Sequence, residues 1–289
     1  MELAKRRLIE LVRFHCKSHK EKTAIPGLTL FRSEMPTEAV RSLYDPRLCI
    51  VLQGRKEIII DRSRIAVGPE DYLVVVLDIP VSARVSEATA LSPHYAVTLD
   101  LDPEIIAEIV ASNAVQRSPT ATTMGAATSA VTADILEPLE RLTRLLDRPE
   151  DIKTLSPLIH REVIYRLVQG NLGNMVAESA TASSRLARIT RTTVWIKANF
   201  DKTVSIAALA EMAGMSQTSY HRAFKAATAM SPMQYRTRLR LHEARRRLQL
   251  GADKIGAVAY AVGYESQSQF NREYRKLFGK SPKSDTPGT

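Results

Sequence analysis

"SQTSYHRAFKAATAMSP" occupies residues 216–232, and "SQSQFNREYRKLFGKSP" occupies residues 266–282. Both stretches open Ser-Gln, carry an Arg as the seventh residue, place an aromatic two residues later and close on Ser-Pro. In the first, Tyr220, Ala223, Phe224 and Ala227 recur at i, i+3, i+4 and i+7, the spacing of one buried helical stripe. Ser216 stands where a helix N-cap belongs. With that stripe turned inward, Gln217, Thr218, His221, Arg222 and Lys225 face outward. In the second, Phe270, Tyr274, Leu277 and Phe278 form the stripe and Ser266 the cap. Gln267, Ser268, Asn271, Arg272 and Arg275 then make the outer face.

The residues ahead of each copy repeat as well. "SIAALAEMAGMS" (205–216) and "KIGAVAYAVGYES" (254–266) read as short Ala-rich helices, each with a Gly two or three residues before the next cap. Small Ala side chains let two helices approach closely, and Gly supplies the left-handed turn between them, which is the pattern of a helix-turn-helix. "SPMQYRTRLRLHEARRRLQL" (231–250) reads as one long basic helix joining the two units. The outer-face residues are chemically selective. Gln, Asn and Arg each make paired hydrogen bonds to base edges in a major groove, and Lys or Arg beside them hold phosphates.

Charge divides the 289-residue chain in the same way. Residues 186–289 hold 18 Lys+Arg against 7 Asp+Glu, a net of +11, while residues 1–185 hold 23 against 24. The whole excess therefore lies on the repeat-bearing segment, as a polyanion-binding module requires. "GNLGNMVAESATASSRLAR" (170–188) is small and polar and is expected to separate two domains: 1–175, a linker at 176–187, a module at 188–283, and a disordered tail at 284–289. Upstream, "RLCIVLQ", "KEIIID", "YLVVVL" and "YAVTLDL" are short β-rich runs punctuated by Gln53-Gly54, Gly68-Pro69 and Pro80, which suggests a small barrel or sandwich. Helical periodicity returns at 103–112, 128–147 and 155–169, with the segment 118–133 read as a loop running into a helix. Leu136, Leu139, Leu142, Leu145 and Leu146 form one stripe, either a dimer seam or a face packed on the protein's own barrel.

Residues 188–283 resemble the DNA-binding domain of the AraC/XylS family of bacterial transcription regulators. The residues that carry the likeness are Ile255, Ala259, Gly263-Tyr264, Ser266, Phe270, Arg272, Tyr274-Arg275, Gly279 and Ser281-Pro282. Tyr264 and Tyr274 stand where Phe is more usual, and the chain lacks the usual Tyr-Arg ending, which leaves the last helix's anchoring in question. The resemblance implies an α+β protein, with a cupin-like barrel and flanking helices followed by an all-α domain of two helix-turn-helix units on a long helix. It implies base reading by Thr218, His221, Arg222, Gln267, Ser268, Asn271 and Arg272. Lys225, Arg275, Ser216 and Ser266 are the phosphate candidates. "LCIVLQGRKEI", "GPEDYLVVVLDIPVSARVSEA" and "PHYAVTLDLDP" resemble, less specifically, the sensor barrel of one AraC subgroup, in which the barrel is a candidate effector pocket; Tyr72, Arg84 and Tyr95 read equally well as lining of that pocket or as ordinary strand residues. Promoter DNA is the expected partner. A small effector, a second copy of the chain and RNA polymerase are candidate partners, and activation or repression is left open.

Other classes are less well supported. A cupin metal site needs several histidines and an acid, and the barrel stretch holds only His94, so no metal and no cofactor are expected. No nucleophile elbow, phosphate-cradling loop or dinucleotide fingerprint occurs, which counts against the alternative of a barrel enzyme fused to a DNA-binding tail. Gln53-Gly54-Arg55-Lys56 reads as a hairpin turn with exposed charges in preference to an anion site. The two cysteines, Cys16 and Cys49, make no disulfide framework, and no apolar run approaches the roughly 20 residues of a membrane span. A cytoplasmic location is expected. Against a DNA-packaging protein, which needs charge alone, stand the selective side chains on both outer faces.

Overall fold

Strand alternation in the first hundred residues builds two antiparallel sheets that share one apolar core. The computed structural model describes residues 1–61, 63–112, 124–251 and 254–285. Helix α1 (Glu2–His15) leads into β1 (Lys20–Lys22), β2 (Leu28–Ser33), β3 (Val40–Tyr44), β4 (Arg47–Gln53), β5 (Arg55–Ile60), β6 (Ser63–Val67), β7 (Asp71–Val75), β8 (Ile79–Glu87) and β9 (His94–Asp100). After α2 (Pro103–Ser112) come β10 (Ala126–Ala130), α3 (Ala133–Arg144), α4 (Pro149–Gln169) and α5 (Gly173–Ala180). One sheet runs β1-β2-β9-β4-β7-β10 and the other β3-β8-β5-β6. On β5, parity turns Ile58 and Ile60 into the core and leaves Glu57 and Ile59 on the outer face.

Several expectations are corrected here. Residues 126–130, read as loop, form β10, paired along its whole length with β7; the rest of the loop reading, 118–123, lies outside the described residues. The helix expected from 128 therefore begins at Ala133. Leu136, Leu139 and Leu142 of α3, and Leu145 in the 3-10 turn that follows, are buried where α3 packs on α1 and α4, with Leu146 partly buried, so the stripe packs in the protein's own core. The stretch expected as linker is occupied by the end of α5 and the start of α6 (Arg185–Ala198), and Met175, Val176 and Ala177 are buried. The connection between the two helices narrows to residues 181–184, of which Ala182 and Ser183 are exposed. The hairpin reading at Gln53-Gly54-Arg55-Lys56 is corrected: Gly54 turns the chain at a positive φ of 75°, but β4 and β5 on either side belong to different sheets, and while Arg55 pairs with Glu87 at the surface, Lys56 turns inward between the rings of Phe31 and Tyr44, at 5.5 and 5.2 Å. Burial works to lower Lys56, yet the neighbouring Tyr44 and Cys49 outweigh it and hold the ammonium above its usual range. Cys16 and Cys49 are free and buried.

The C-terminal part follows the repeat. After α6 come α7 (Ile206–Met212), α8 (Gln217–Thr228), α9 (Pro232–Gln249), α10 (Ile255–Ala261) and α11 (Gln267–Phe278). Gly214 and Gly263, at φ 60° and 88°, make the two turns. At Gly263 a side chain has no room, since a Cβ would stand 2.3 Å from the Asp201 carbonyl. Both second helices end in a left-handed cap, Gly279 in one copy and Ala229 in the other. Leu277 is only partly buried, so the second stripe is carried by Phe270, Tyr274 and Phe278. Residues 284 and 285, expected in the disordered tail, belong to a 3-10 turn (Lys283–Asp285). Asp285 accepts a 2.9 Å hydrogen bond from the Tyr274 hydroxyl and pairs with Arg245 at 2.7 Å, anchoring α11 in place of the missing Tyr-Arg ending. Residues 286–289 lie outside the described residues.

The two parts are joined by polar contacts around the shared core. Lys197 on α6 bonds Asp45 at 2.8 Å and Asp78 at 2.7 Å. Burial and the adjacent Asp45 push Asp78 up to about 6. The Tyr235 hydroxyl donates to the Asp78 carbonyl at 3.0 Å, and the Gly125 amide donates to the Ala227 carbonyl at 3.0 Å.

Two buried histidines set an acid limit on this fold. Burial lowers His94 and His242 from 6.5 to about 4, with Lys56 and His19 adding to it at His94, and Arg238, Arg245 and Arg41 at His242. The unfolded chain takes up those protons near pH 6.5 and the folded one only near 4, so stability is full above 6.5 and falls as pH drops toward 4. Each histidine costs about 1–2 kcal/mol by pH 5, and Asp78, shifted upward, returns about 1. Thermal melts are expected to show a lower midpoint at pH 5 than at pH 7, with His242→Gln narrowing the gap; an unchanged gap would contradict the assignment.

Candidate nucleic-acid interface

Each candidate reading helix is held by its buried stripe and a serine cap. Tyr220, Ala223, Phe224 and Ala227 fix α8, and the Ser216 hydroxyl oxygen accepts the Ser219 amide at 3.3 Å. Phe270, Tyr274 and Phe278 fix α11, and Ser266 accepts the Gln269 amide at 3.4 Å. Aromatic stacking runs along both stripes, with Tyr220–Phe224–Tyr235 in the first unit and Tyr264–Phe270–Tyr274–Phe278 in the second. Ser231 and Gln234 form a reciprocal capping box that starts α9 behind them.

With the stripes inward, Thr218, His221, Arg222 and Lys225 are exposed together on α8, and Gln267, Ser268, Arg272 and Arg275 on α11. Ser216 and Ser266 lie at the two helix starts with their hydroxyls engaged as caps. Asn271 differs from expectation. It is half-buried, and its Oδ1 is turned inward without a hydrogen-bond partner. A buried unpaired carbonyl oxygen costs about 1–3 kcal/mol, so turning the amide outward toward a base edge is favoured once a partner is there. Ser268, Asn271, Arg272, Arg275 and Lys276 line an open groove of about 460 Å³ along α11. Behind α11, Glu273 accepts hydrogen bonds from Tyr264 at 2.8 Å and Gln269 at 3.0 Å, bracing the helix from the side away from that groove.

Two residues were missed by sequence reasoning. Arg185 and Arg188 on α6 share a notch of about 400 Å³ with Ser183, Gly214, Ser216 and Ser219, beside the start of α8. Gly214 serves the turn there through its φ of 60°; the Arg188 guanidinium lies in ordinary contact range, 3.7 Å from where a Cβ would stand. About thirty residues separate them from α8, beyond the reach of any local pattern; the surplus of Arg at 185–191 is the one sequence signal.

The candidate effector residues are not brought together. Tyr72 lines a small cavity of about 130 Å³ with Ile135, Arg166 and Asn171, and burial raises its phenol. Arg84 is on the surface, paired with Glu57 at 2.6 Å. Tyr95 is buried in β9. A larger cleft, about 590 Å³, opens instead between the second sheet and the C-terminal helices, with Arg41, Ile59 and Ser82 on one side and Arg238, Lys276 and Leu277 on the other. Burial, with Arg238 and Arg245 facing it, lowers the Arg41 guanidinium. Among the described residues no group of three His, Cys, Asp or Glu is placed to hold a metal, and no helix is long and apolar enough to cross a membrane.

A family model described as AraC-type transcriptional regulator N-terminus matches residues 24–175, and one described as a helix-turn-helix domain matches residues 209–285. The chain belongs to the AraC-type transcriptional regulators. It is 33% identical over 138 residues to the HTH-type transcriptional activator RhaS of Pectobacterium carotovorum, covering 48% of this chain and 47% of that one. To the RhaS of Escherichia fergusonii it is 28% identical over 154 residues, 52% and 55% of the two chains. The AraC-type chain thus spans about half the length of these relatives. Its fold is similar to that of ToxT from Vibrio cholerae bound to an unsaturated fatty acid, at a TM-score of 0.58 and 8% identity over 91% of this chain and 95% of that one. ToxT bound to (E)-4-(8-methylnaphthalen-1-yl)but-3-enoic acid gives 0.59 at 9% identity, over 92% and 98%.

Arg185→Ala and Arg188→Ala are expected to weaken DNA binding evenly across sequences and to lower the slope of log affinity against log salt by about one each. Fluorescence anisotropy across a salt series reads this; an unchanged slope would remove them from the interface.

Proposed function

We propose that this AraC-type protein is a sequence-specific DNA-binding regulator that reads two adjacent major-groove segments, one with α8 and one with α11. The observation that carries the reading is the pair of exposed faces, Thr218, His221 and Arg222 on one helix and Gln267, Ser268 and Arg272 on the other. Each stands on a helix fixed from behind by the same aromatic stripe and serine cap. Side chains able to make two hydrogen bonds discriminate among base pairs, whereas charge alone does not. Asn271 joins this set once its amide turns outward. Lys225 and Arg275 act on phosphates, and Ser216 and Ser266 present the helix starts to the backbone. RNA polymerase and a second copy of the chain are candidate partners at the promoter, and activation is the mode named for the RhaS relatives.

The effector site is proposed in the cleft between the second sheet and α9/α11, in place of the Tyr72, Arg84 and Tyr95 set. Arg41 and Lys276 offer charge and Ile59 and Leu277 offer apolar surface, which suits an amphipathic carboxylate. The carboxylic acids bound by ToxT belong to that chemical class.

Replacing Arg272 with Ala should cost about 1–3 kcal/mol on the preferred site and relax selectivity at one base pair, whereas Lys225→Ala should weaken all sequences alike. Binding selection from randomised DNA distinguishes the two; an equal loss on every sequence for Arg272→Ala would make that residue a phosphate contact. For the effector, a thermal-shift series of the full chain with medium- and long-chain fatty acids should raise the midpoint. Saturation at 100 times Kd corresponds to about 2.7 kcal/mol. Arg41→Ala should abolish the shift, and a shift that survives it would move the site elsewhere.

A further inference from the structure

The apolar core is not divided where the sequence divides. One cluster of buried side chains runs from Ala4 through the barrel, α3, α4 and α5 and on through α6, α7, α8 and the first half of α9 as far as Leu239. A second, separate cluster begins at Leu241 and holds Ala244, Leu248, Val258, Phe270, Tyr274 and Phe278. The first helix-turn-helix unit therefore shares the barrel's core, and the second has a core of its own. Partly buried Phe200 packs against both.

Polar contacts fall on the same line. The first unit is tied to the barrel by Lys197 with Asp45 and Asp78, by the Tyr235 hydroxyl on the Asp78 carbonyl, and by the Gly125 amide on the Ala227 carbonyl at the end of α8. Gly125 leaves no slack, because a Cβ there would meet Leu77 Cδ2 at 2.6 Å and the Ala227 oxygen at 3.0 Å. α11 faces the barrel across the open cleft instead. Between the two clusters sits Arg240. Its Nε donates to the Phe200 carbonyl at 2.6 Å and its Nη2 to the Asp201 carbonyl at 3.1 Å, and the guanidinium lies over the Tyr264 ring at 5.7 Å. It thus holds the loop after α6 from one side and the second unit from the other.

We infer that the movable part of this regulator is the second helix-turn-helix unit with the C-terminal half of α9, pivoting at Arg240, while the barrel and the first unit move as one body. The physical reason is a difference in what each motion breaks. Lifting the barrel off the whole DNA-binding region exposes continuous core and strips the buried Asp78 of its cation. A small bend of α9 beyond Leu239, of the kind long helices accommodate, widens or narrows a gap that is already open and strains only the local contacts at the pivot, Phe200 between the clusters and Gly263 on the Asp201 carbonyl. This inference rests on the proposed DNA reading and adds to it how that reading is regulated. An occupant of the cleft acts on where α11 stands relative to α8, and so on the spacing of DNA segments that the two helices reach together.

Native-state hydrogen exchange of the full chain across a urea series tests this in the free protein, so failure of DNA binding is read separately by anisotropy. Amides in α6 and α8 are expected to share the opening free energy of strands β4 and β9, with α10 and α11 opening together at lower free energy. Ser82→Trp, which fills the cleft from the barrel side, is expected to change protection in α10 and α11 and leave α6 and α8 as they were. The inference is overturned if α8 opens with α11 apart from the barrel, if all segments open as one, or if Ser82→Trp moves α8 as much as α11.

Discussion

The ammonium of Lys197, held between Asp45 and Asp78, is the contact on which the arrangement of the molecule turns. It comes from the first helix of the C-terminal part and lands on the two loops that flank the barrel's central strands β4 and β7. Asp78 is buried and faces the Asp45 carboxylate, so its charge is tolerable only with a cation beside it. Fixing that cation fixes α6, and α6 fixes the aromatic stripe of α8 through the common core. An ion pair alone would leave the two domains free to tumble; this one, half exposed at Lys197 and Asp45 and buried at Asp78, is seated over continuous apolar packing, which makes barrel and first unit one object.

The C-terminal fold was legible because its determinants are local. Stripe, cap, turn glycine and Ser-Pro ending all lie within twenty residues, and each copy vouches for the other. Even the left-handed helix ends are a shared feature, although the first copy uses Ala229 where the second uses Gly279, a position at which a Cβ carries a steric cost of about 1–2 kcal/mol. The loss of the usual Tyr-Arg ending suggested weaker anchoring, and Asp285 shows why that suggestion failed: a carboxylate on Tyr274 and Arg245 does the same holding by different chemistry.

The barrel was only half legible. The runs containing Ile50, Ile59, Val74 and Val97 announce strands, but β10 reads Ala-Ala-Thr-Ser-Ala and exists because β7 offers it a full register of partners. β1 is Lys-Glu-Lys, a charged edge strand with no apolar signal. Which strand joins which sheet was invisible, and that is why the sequence could not tell whether Tyr72, Arg84 and Tyr95 line one pocket; they lie in three places. The cleft with Arg41, Ser82 and Lys276 unites residues more than two hundred positions apart, and no spacing rule reaches that far. Only the extent of the linker was illegible, since small residues at 176–187 serve close helix packing, as at Val176 and Ala177, as readily as a solvated connection, as at Ala182 and Ser183.

The central claim is that two helices of one chain read two segments of one DNA site. Hydroxyl-radical footprinting on a sequence selected from randomised duplex tests it most directly. The account predicts two protected segments on the same face of the duplex, centred about one helical turn apart, ~10 bp. A single protected segment, or uniform protection without phase, would contradict it.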